Sequence, residues 1–378
     1  MERITIKAYA VKHKLSIFNV MKMVKSGQVK SEVFNEKGRE VTYILFDEKT
    51  EKEVREKIVP MEQKEDIISN EGDKMKVAYI TDEIYLEHDT GLGHPESKQR
   101  LIAINRAIEP LRHKLLEKSP LWISKEILQM VHSDEHIRNI KVSSQHATPI
   151  DSDTICSTDS YTAAVKAVGA GITALDGIKA GEFNRAFCAV RPPGHHARPN
   201  QAMGFCLFNN IAIAAKYAQS IGYKKVMIID FDVHHGNGTQ DTFYRDDTVF
   251  YFSSHQAFAY PGTGMEKEKG EGRGKGYTAN FLMMPDGGDM EVLDIYENDL
   301  PPLVKSFDPD IILVSAGYDL HESDPLAQLN VTTEGIRKIV RVIFDSADVP
   351  TVFFLEGGYD VDALGENVKV TLEELLKV

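Results

Sequence analysis

The sequence has few cysteines and no long run of apolar residues. Its three cysteines, Cys156, Cys188 and Cys206, form no Cys-x-x-Cys pair and no disulfide-like spacing, so we expect a reducing, cytoplasmic location. Residues 1–4, Met-Glu-Arg-Ile, open no signal peptide, and no apolar run approaches the length of a membrane helix. These absences predict a protein without structural disulfides and without a membrane partner.

Basic residues are also scarce relative to acidic ones. The chain has 44 lysines and arginines against 57 aspartates and glutamates, which gives a net charge of −13. This balance argues against a protein that binds nucleic acid over its whole surface and favours a soluble enzyme. With 378 residues, the chain is long enough for one large α/β domain and a small appendage.

Residues 1–46 differ from the rest because lysines outnumber acids there. The pattern predicts a helix over residues 6–13, a second helix capped by Ser16, and a β-hairpin that turns at residues 35–38. Two short helices and a hairpin resemble a small winged-helix module. It is a candidate for binding nucleic acid, for docking a protein partner or for forming a homo-oligomer. We favour docking or oligomerisation, because lysines on small helices are usually only solvated.

Residues 47–74 carry acid–base pairs at i,i+4 spacing and then a polar stretch, which predicts an exposed helix and a linker. Residues 75–378 alternate between apolar strands and long helical segments. The predicted strands are 77–81, 186–191, 226–230, 249–253, 278–283, 311–315 and 352–356. The predicted helices include 163–180, 210–220, 290–305 and 333–346. This alternation predicts an α/β domain with a mainly parallel sheet covered on both faces.

The strand predicted at residues 226–230 leads directly into candidate metal ligands. Its continuous apolar character indicates a strand that is buried on both faces. Asp230, Asp232 and His234 follow at alternate positions, and in extended backbone such residues point the same way. Asp232 and His234 can therefore present an oxygen and a nitrogen to one divalent metal such as zinc. Ligands of open α/β sheets usually bind at this carboxyl edge.

Three other predicted strands also end in polar motifs. Residues 191–197 (Arg-Pro-Pro-Gly-His-His-Ala) present two adjacent histidines, residues 316–319 (Ala-Gly-Tyr-Asp) a carboxylate, and residues 356–359 (Glu-Gly-Gly-Tyr) a phenol. Each motif alone has an ordinary structural explanation as a loop, a helix cap or a turn. Their joint position at one sheet edge predicts a catalytic site.

In this order the motifs resemble those of the zinc-dependent histone deacetylase family, in the group of class II-type and bacterial deacetylases and acetylpolyamine amidohydrolases. The resemblance runs from about Val77 to the C-terminus. It rests on residues 191–197, 204–209 (Gly-Phe-Cys-Leu-Phe-Asn), 230–238 (Asp-Phe-Asp-Val-His-His-Gly-Asn-Gly), 315–319 and 355–359. It implies the three-layer arginase/deacetylase α/β fold and one zinc ion per chain, held by Asp232, His234 and Asp319.

The resemblance also implies roles in catalysis. A metal with three protein ligands keeps positions open for water and a substrate carbonyl, lowers the pKa of the water to about 7 and polarises the carbonyl. His196 would be the general base, and His195 its electrostatic partner, oriented by Asp230. Tyr359 would donate its hydroxyl to the developing oxyanion. No Gly-x-Ser-x-Gly elbow is present, and this chemistry needs no serine nucleophile.

One position departs from many family members. Asn237 stands where they carry a second aspartate beside the other histidine. An amide can orient His196 but cannot stabilise its charged form as a carboxylate does. Asparagine is common there in the class II-type and bacterial branches, so Asn237 indicates the subfamily rather than inactivity.

Further positions match the ion and substrate sites of the family. A structural potassium ion is implied at the side chains of Asp230 and Ser253 and the backbone carbonyls of Asp232, His234 and Ser254. A second potassium position would fall near Phe243, Asp246, Val249 and Tyr277. Substrate would meet Gly204, Phe205 and Tyr260 in the channel, His94, Pro95, Asp151 and Ser152 at the rim, and Leu326 at the gate. An acidic gate residue favours acetylpolyamines, so the apolar Leu326 favours acyl-lysine or a less charged amide.

The sequence therefore favours a zinc-dependent amidohydrolase that removes acetyl or related acyl groups from lysine side chains or small amines. Acetylpolyamine amidohydrolase activity is the alternative within that class. A regulatory protein could instead use the deacetylase body as a ligand sensor, but a sensor has no need to keep Tyr359. Arginase-like binuclear chemistry requires further bridging carboxylates, and only one Asp-x-Asp-x-His run is present.

Overall fold

The computed structural model describes residues 2–5, 9, 24, 30–36, 39–46 and 77–377. The chain divides into two compact units, Met1–Lys74 and Met75–Val378. The first unit contains an antiparallel three-stranded sheet in the order β1-β3-β2. Its strands are β1 (Glu2–Thr5), β2 (Lys30–Glu36) and β3 (Arg39–Phe46).

The antiparallel pairing of β2 with β3 agrees with the predicted hairpin. The rings of Phe34 and Tyr43 pack edge to face, with centroids 5.7 Å apart. The sequence does not predict β1, because a strand of four residues gives too short a pattern. The predicted helices at residues 6–25 and the helix and linker at 47–74 lie outside the described residues, apart from Tyr9 and Val24, which are helical.

The second unit is built on one eight-stranded sheet in which every neighbouring pair runs parallel. Its strands are β4 (Val77–Ile80), β5 (Leu115–Lys118), β6 (Arg185–Cys188), β7 (Val226–Asp230), β8 (Val249–Gln256), β9 (Thr278–Met283), β10 (Ile311–Ala316) and β11 (Thr351–Leu355). Their spatial order is β5-β4-β6-β11-β10-β7-β8-β9. Strands β7, β10 and β11 are buried along their whole length, which explains their continuous apolar sequences.

Helices connect these parallel strands. They are α1 (Gln99–Ala107), α2 (Lys125–Leu128), α3 (Asp134–Gln145), α4 (Ser160–Lys179), α5 (Asn210–Ser220), α6 (Asn237–Phe243), α7 (Asp289–Asp294), α8 (Leu300–Phe307), α9 (Thr333–Ser346) and α10 (Val361–Leu375). Short 3-10 turns occupy Glu83–Leu86, Glu109–Lys114 and Gly272–Gly274. Among the described residues, no helix combines the length and the apolar character needed to cross a membrane.

The α/β fold with a mainly parallel sheet is confirmed, and α5 and α9 have the predicted bounds. The half-exposed edge strand β5 is an addition, because its short sequence carries little apolar pattern. The helix predicted over residues 290–305 is instead α7, a π-helical turn at Ile295–Asp299 and α8. Pro301 and Pro302 lie in the first turn of α8 and have no N–H to donate to the preceding turn, which accounts for the interruption.

The strand order places the four strands that carry the polar motifs next to one another. β6, β11, β10 and β7 are consecutive neighbours and run parallel, so their carboxyl ends meet at one edge of the sheet. The register pairs Ser315 with Asp230 on one side and with Phe354 on the other. The motifs that follow these strands therefore converge.

Candidate active site

The three predicted metal ligands, Asp232, His234 and Asp319, form a metal-ligand cluster at this edge. Their ligand atoms all lie within 4.8 Å of one another. His234 Nδ1 lies 3.0 Å from Asp319 Oδ2 and 3.3 Å from Asp232 Oδ1. Gly357, after β11, donates its N–H to Asp232 Oδ2 at 2.8 Å. A Cβ at Gly357 would lie 2.2 Å from Asp319 Oδ2, so the turn can approach this closely only with glycine.

The charges of the metal-ligand cluster fit a divalent cation. Asp232 and Asp319 are buried, and within residues 77–377 neither forms an ion pair with a lysine or arginine. Burial and the charge of Asp232 raise the pKa of Asp319 to about 7. Burial alone would lower the pKa of His234, but its hydrogen bonds to Asp232 and Asp319 raise it to about 10. Two buried carboxylates and an imidazole that share a proton are a donor set in which a metal ion can replace that proton.

The tandem histidines have different environments. His195 Nδ1 donates to Asp230 Oδ2 at 3.1 Å, and His196 Nδ1 donates to Asn237 Oδ1 at 2.9 Å. Burial alone would lower the pKa of His195, but the charges of Asp232 and Asp230 raise it to about 10. Burial and the neighbouring His195 lower the pKa of His196 well below its ordinary value. A neutral His196 with its proton on Nδ1 keeps a lone pair on Nε2, as a general base requires.

The two side chains of the first predicted potassium position are adjacent. Asp230 and Ser253 are cross-strand partners in β7 and β8, and both are buried. Asp230 accepts hydrogen bonds from the Tyr251 hydroxyl at 3.0 Å and from the Asp232 N–H at 3.2 Å. The Ser253 hydroxyl is hydrogen-bonded to His255 Nδ1 at 2.9 Å. Potassium binding here stays a prediction.

At the second predicted potassium position, a lysine already supplies positive charge. The Asp246 carboxylate pairs with Lys216 Nζ at 2.6 Å, and Nζ lies 4.9 Å from the centroid of the Phe243 ring. The Asp246 N–H donates to the carbonyl of Phe243 at 2.9 Å. An ion here would depend on backbone carbonyls, and its presence also stays a prediction.

Tyr359 lies beyond a Gly-Gly turn after β11. Its backbone N–H donates to Asp324 Oδ2 at 2.7 Å, and its ring packs edge to face on Phe205 with centroids 5.8 Å apart. Gly358 in the turn has a φ of 115°, which residues with a Cβ rarely adopt. Burial and the charge of Asp319 raise the pKa of the Tyr359 phenol well above its ordinary value. The hydroxyl therefore stays protonated beside the metal-ligand cluster and is available as a donor.

Two of the predicted channel residues, Gly204 and Tyr260, lie against His196. Gly204 and Phe205 have φ angles of 57° and 68°, and a Cβ on Gly204 would lie 2.5 Å from the His196 ring. Tyr260, in the loop after β8, packs edge to face on His196 with centroids 5.1 Å apart. The His94 ring packs on the other channel aromatic, Phe205, with centroids 4.8 Å apart. The structure thus brings the predicted channel against the candidate base.

The predicted rim residues lie in two loops that meet. His94 Nε2 is 3.0 Å from the carbonyl of Asp153, which joins the loop of His94 to the loop that follows α3. The Asp151 carboxylate accepts from the N–H groups of Asp153 and Thr154 at 3.1 and 2.6 Å. The other two predicted rim residues are Pro95, which is partly buried, and Ser152, which is exposed.

The predicted gate residue connects to the turn of Tyr359. The Leu326 N–H donates to Asp324 Oδ1 at 2.9 Å, and Asp324 Oδ2 accepts from the Tyr359 N–H. Asp324 therefore couples the position of Leu326 to that of the candidate oxyanion donor.

The sequence assigns no role to Glu356, yet its side chain holds the loop of residues 191–197, which carries His195 and His196 and which we call the histidine loop. The buried carboxylate accepts from the N–H groups of Gly194 and His195 at 2.6 and 3.1 Å through Oε2, and from the Ser315 hydroxyl at 3.0 Å through Oε1. Burial raises the pKa of Glu356 to about 7. A glutamate directly after the apolar run of residues 352–355 is the sequence signal that indicates such a role.

A second group that the sequence does not reveal is the Glu96 cluster, formed by Glu96, Arg100 and Arg191. All three side chains are fully buried. Arg191 donates to both oxygens of Glu96 at 2.5 and 2.8 Å, and Arg100 Nη1 donates to Glu96 Oε1 at 3.0 Å. Arg100 also donates to the carbonyls of Gly358, at 2.7 Å, and Glu356. The Glu96 cluster therefore joins the start of the histidine loop to the turn of Tyr359.

Replacing Glu96 by alanine is expected to lower the free energy of unfolding by about 3–5 kcal/mol, because two guanidinium groups would stay buried without their carboxylate. Burial alone would raise the pKa of Glu96, but Arg191 and Arg100 lower it to about 2. Its stabilising effect is therefore present above the unfolded-state pKa of about 4.3 and is lost as the pH falls through about 2.

Urea unfolding at pH 7 measures this loss. Glu366→Ala is the matched control, because it breaks an exposed pair with Lys369 and should change the free energy of unfolding by less than about 1 kcal/mol. Equal losses in the two variants would contradict the role assigned to the Glu96 cluster.

Comparisons with known proteins agree with this architecture. The histone deacetylase domain model matches residues 94–375. A probable deacetylase of Archaeoglobus fulgidus is 37% identical over 298 residues, which cover 76% of this chain and 82% of the relative. Histone deacetylase 10, chloroplastic, of Oryza sativa is 39% identical over 308 residues, which cover 75% and 70%.

Solved structures show the same relationship. The crystal structure of the HDA15 HD domain superposes with a TM-score of 0.78 at 35% identity, over 80% of this chain and 89% of that one. The family resemblance of the sequence motifs is thereby confirmed, and so is deacetylase activity as the general class of function. The chain belongs to the histone deacetylase family.

Proposed function

We propose that this deacetylase is a zinc-dependent amidohydrolase that removes acetyl or related acyl groups from lysine side chains or small amines. The observation that carries the proposal is the convergence of the metal-ligand cluster with the two histidines and Tyr359. Zinc takes nitrogen and oxygen ligands, and three protein ligands leave a coordination position open. When bound, zinc would supply Lewis acidity and a water of lowered pKa.

His196 is the proposed general base. Its Nδ1–H is held by Asn237, so Nε2 is free to take a proton from the attacking water and later to return it to the leaving amine. His195 is held by Asp230 and lies next to His196, with ring centroids 4.0 Å apart. The two histidines have pKa values shifted in opposite directions, which is the usual arrangement when one group of a pair exchanges the proton and the other holds charge.

Tyr359 is the proposed oxyanion donor. Its phenol keeps its proton, and the ring is held between Phe205 and the Arg100 guanidinium, whose carbon lies 5.1 Å from the ring centroid. A donor fixed before the reaction strengthens its hydrogen bond as charge develops on the carbonyl oxygen, without reorganisation.

Metal content and activity test the proposal together. The purified protein is analysed for bound metals, stripped with a chelator and reloaded with one metal at a time, and acetyl-lysine peptide hydrolysis is followed. We expect one zinc per chain and recovery of activity with that ratio. Two manganese ions per chain would instead favour arginase-like binuclear chemistry, and hydrolysis by the stripped protein would contradict the proposal.

The apolar gate residue, Leu326, predicts a preference for acyl-lysine over acetylpolyamine as substrate. Leu326 is 43% exposed and carries no charge that would attract a polycation. Leu326→Glu is expected to raise kcat/KM for N-acetylspermidine by about tenfold, because a carboxylate near the mouth favours a cationic substrate. Leu121→Glu adds the same charge at an exposed position between β5 and α2 and should leave the ratio of acetylspermidine to acetyl-lysine activity unchanged. A wild-type enzyme that prefers acetylspermidine would reverse the substrate assignment.

Residues 75–378 are proposed to act as an independent catalytic domain. The matched domain model, residues 94–375, falls wholly within the second compact unit. Deleting residues 1–74 is therefore expected to leave a folded protein whose kcat on acetyl-lysine peptide is within about twofold of the full chain. Circular dichroism and kinetics on both proteins check this, and an insoluble or inactive truncation would show that the boundary is wrong.

A further inference from the structure

Three exposed apolar side chains lie on three separate loops at the carboxyl edge of the sheet. Leu92, Phe258 and Leu326 have relative exposures of 109%, 88% and 43%. We call them the apolar rim. Isolated exposed apolar residues are common on protein surfaces, but a group of them around one opening is typical of an interaction site.

Each residue of the apolar rim is two positions along the chain from a residue that contacts a predicted channel residue, the candidate base or the candidate oxyanion donor. Leu92 precedes His94, which packs on Phe205. Phe258 precedes Tyr260, which packs on His196. Leu326 follows Asp324, whose carboxylate accepts a hydrogen bond from the Tyr359 N–H. Two residues span at most about 7 Å of backbone. The apolar rim therefore lies beside the predicted substrate channel.

Phe258 adopts a backbone conformation that disfavours phenylalanine. Its φ is +63°, in the left-handed region where a bulky residue is strained. The flanking backbone holds this conformation, because Ala257 N–H donates to Met283 at 2.8 Å and Gly262 N–H donates to Ala259 at 3.0 Å. Since the ring is almost fully exposed, it gains little from packing. A strained and exposed aromatic residue has no stabilising role in the free protein, and such outliers are most common at functional sites.

Leu92 is presented in a comparable way. It stands between Gly91 and Gly93, whose φ angles are 91° and 81°, and a Cβ added to either glycine would meet no other atom within 4 Å. The tip of this loop therefore projects into open space, with Leu92 at its end. Neither packing nor hydrogen bonding of the free protein explains an apolar side chain at this place.

We infer that the apolar rim, with Phe258 as its main contact, binds an apolar side chain next to the acyl-lysine of a peptide substrate. The inference rests on the proposed function and narrows its substrate class. Three side chains are too few for a stable dimer, which buries roughly 800 Å² on each partner, but suffice to cover one aromatic or aliphatic side chain. The three side chains of the apolar rim carry no charge, so they give no attraction of their own for a polyamine.

The test compares two acetyl-lysine peptides that differ only in the residue after the acetyl-lysine, phenylalanine in one and glycine in the other. For the wild type we expect kcat/KM to be about tenfold higher with phenylalanine, through a lower KM at similar kcat. Phe258→Ala should bring the two peptides within about twofold while kcat on the glycine peptide stays near wild type. Phe258→Leu keeps an apolar contact and should retain most of the preference.

Two further variants separate recognition from folding. Phe258→Gly removes the ring and the strain together, so it should lose the preference with a Tm equal to or above that of the wild type. Val142→Ala trims an exposed apolar residue on α3, outside these loops, and should keep the preference. A Phe258→Gly variant with lowered Tm would show that the ring serves stability, which overturns the inference.

The outcomes also distinguish this inference from the proposed function. If the wild type hydrolyses both peptides equally well, the apolar rim does not recognise substrate, and the proposed function stands. If the zinc-loaded wild type hydrolyses neither peptide nor any other acetyl-lysine peptide, the proposed function fails as well. A change of oligomeric state in Phe258→Ala, measured by light scattering, would assign Phe258 to contacts between copies of the chain and overturn the inference.

Discussion

Replacing Asp319 by alanine is expected to abolish zinc binding and deacetylation together. Asp319 is one of the three proposed ligands that form the metal-ligand cluster, and its Oδ2 lies 3.0 Å from His234 Nδ1. Removing it leaves two protein ligands, whereas a catalytic zinc site ordinarily has three. Loss of even an outer partner of a metal ligand typically costs 10- to 100-fold in affinity or activity, so loss of a ligand itself should exceed about 100-fold.

The measurement is zinc per chain by elemental analysis, alongside kcat/KM on an acetyl-lysine peptide. Asp232→Ala and His234→Ala should behave in the same way, because all three donors face one point. Asp345→Ala is the matched control, since Asp345 is an exposed aspartate of α9. Stoichiometric zinc and full activity in any of the three ligand variants would remove that residue from the proposed site.

Replacing Tyr359 by phenylalanine is expected to lower kcat by roughly 100- to 1000-fold while zinc content and Tm stay near wild type. The change removes one hydroxyl and keeps the ring that packs between Phe205 and Arg100. The lost interaction is a hydrogen bond that strengthens as the carbonyl oxygen becomes negative, worth about 2.7–4 kcal/mol by comparison with other oxyanion donors. Because such a bond forms mainly in the transition state, kcat and kcat/KM should fall together.

Tyr244→Phe is the matched control, because it removes a hydroxyl from a partly buried tyrosine outside the site. Its kcat should stay within about twofold of wild type. A Tyr359→Phe enzyme with kcat within a few fold of wild type would mean that another group stabilises the oxyanion. A variant that also lost zinc would mean that the hydroxyl supports the metal-ligand cluster instead.

Local spacing alone determined part of the site. The spacing of Asp230, Asp232 and His234 predicts that their side chains share a face as long as the backbone stays extended, because the period of extended backbone is two. In the structure β7 ends at Asp230 and the backbone bends at Val233 and His234, so the proximity of Asp232 and His234 does not follow from strand periodicity alone. The apolar runs that precede them predict Asp319 and Tyr359 to lie just beyond strand ends. Each of these predictions depends only on residues within about ten positions of its motif. The family resemblance of the motifs adds the expected roles.

Strand order decided which of these ends meet. Sequence shows that four strands end in polar motifs, but only the order β6-β11-β10-β7 makes them neighbours. The N–H of Gly357 reaches Asp232 across 125 residues of sequence, and Arg191 reaches Glu96 across 95. No local pattern encodes contacts of this kind, because they depend on how crossover connections pack against the sheet.

Because local patterns do not encode tertiary contacts, the sequence also did not reveal the roles of several other residues. In sequence Glu96 looks like an ordinary acid, and Glu356 differs from one only because it directly follows an apolar run. Only burial beside two arginines, or beside the N–H groups of the histidine loop, gives them a role. The tautomer proposed for His196 follows from the side-chain amide oxygen of Asn237, which lies 2.9 Å from His196 Nδ1 in a tertiary contact. Phe258 resembles a core residue in sequence. Sequence by itself therefore predicted the donors and, through the family resemblance, their chemistry, whereas tertiary structure decided their partners, charges and exposure, because these depend on the residues that folding brings close.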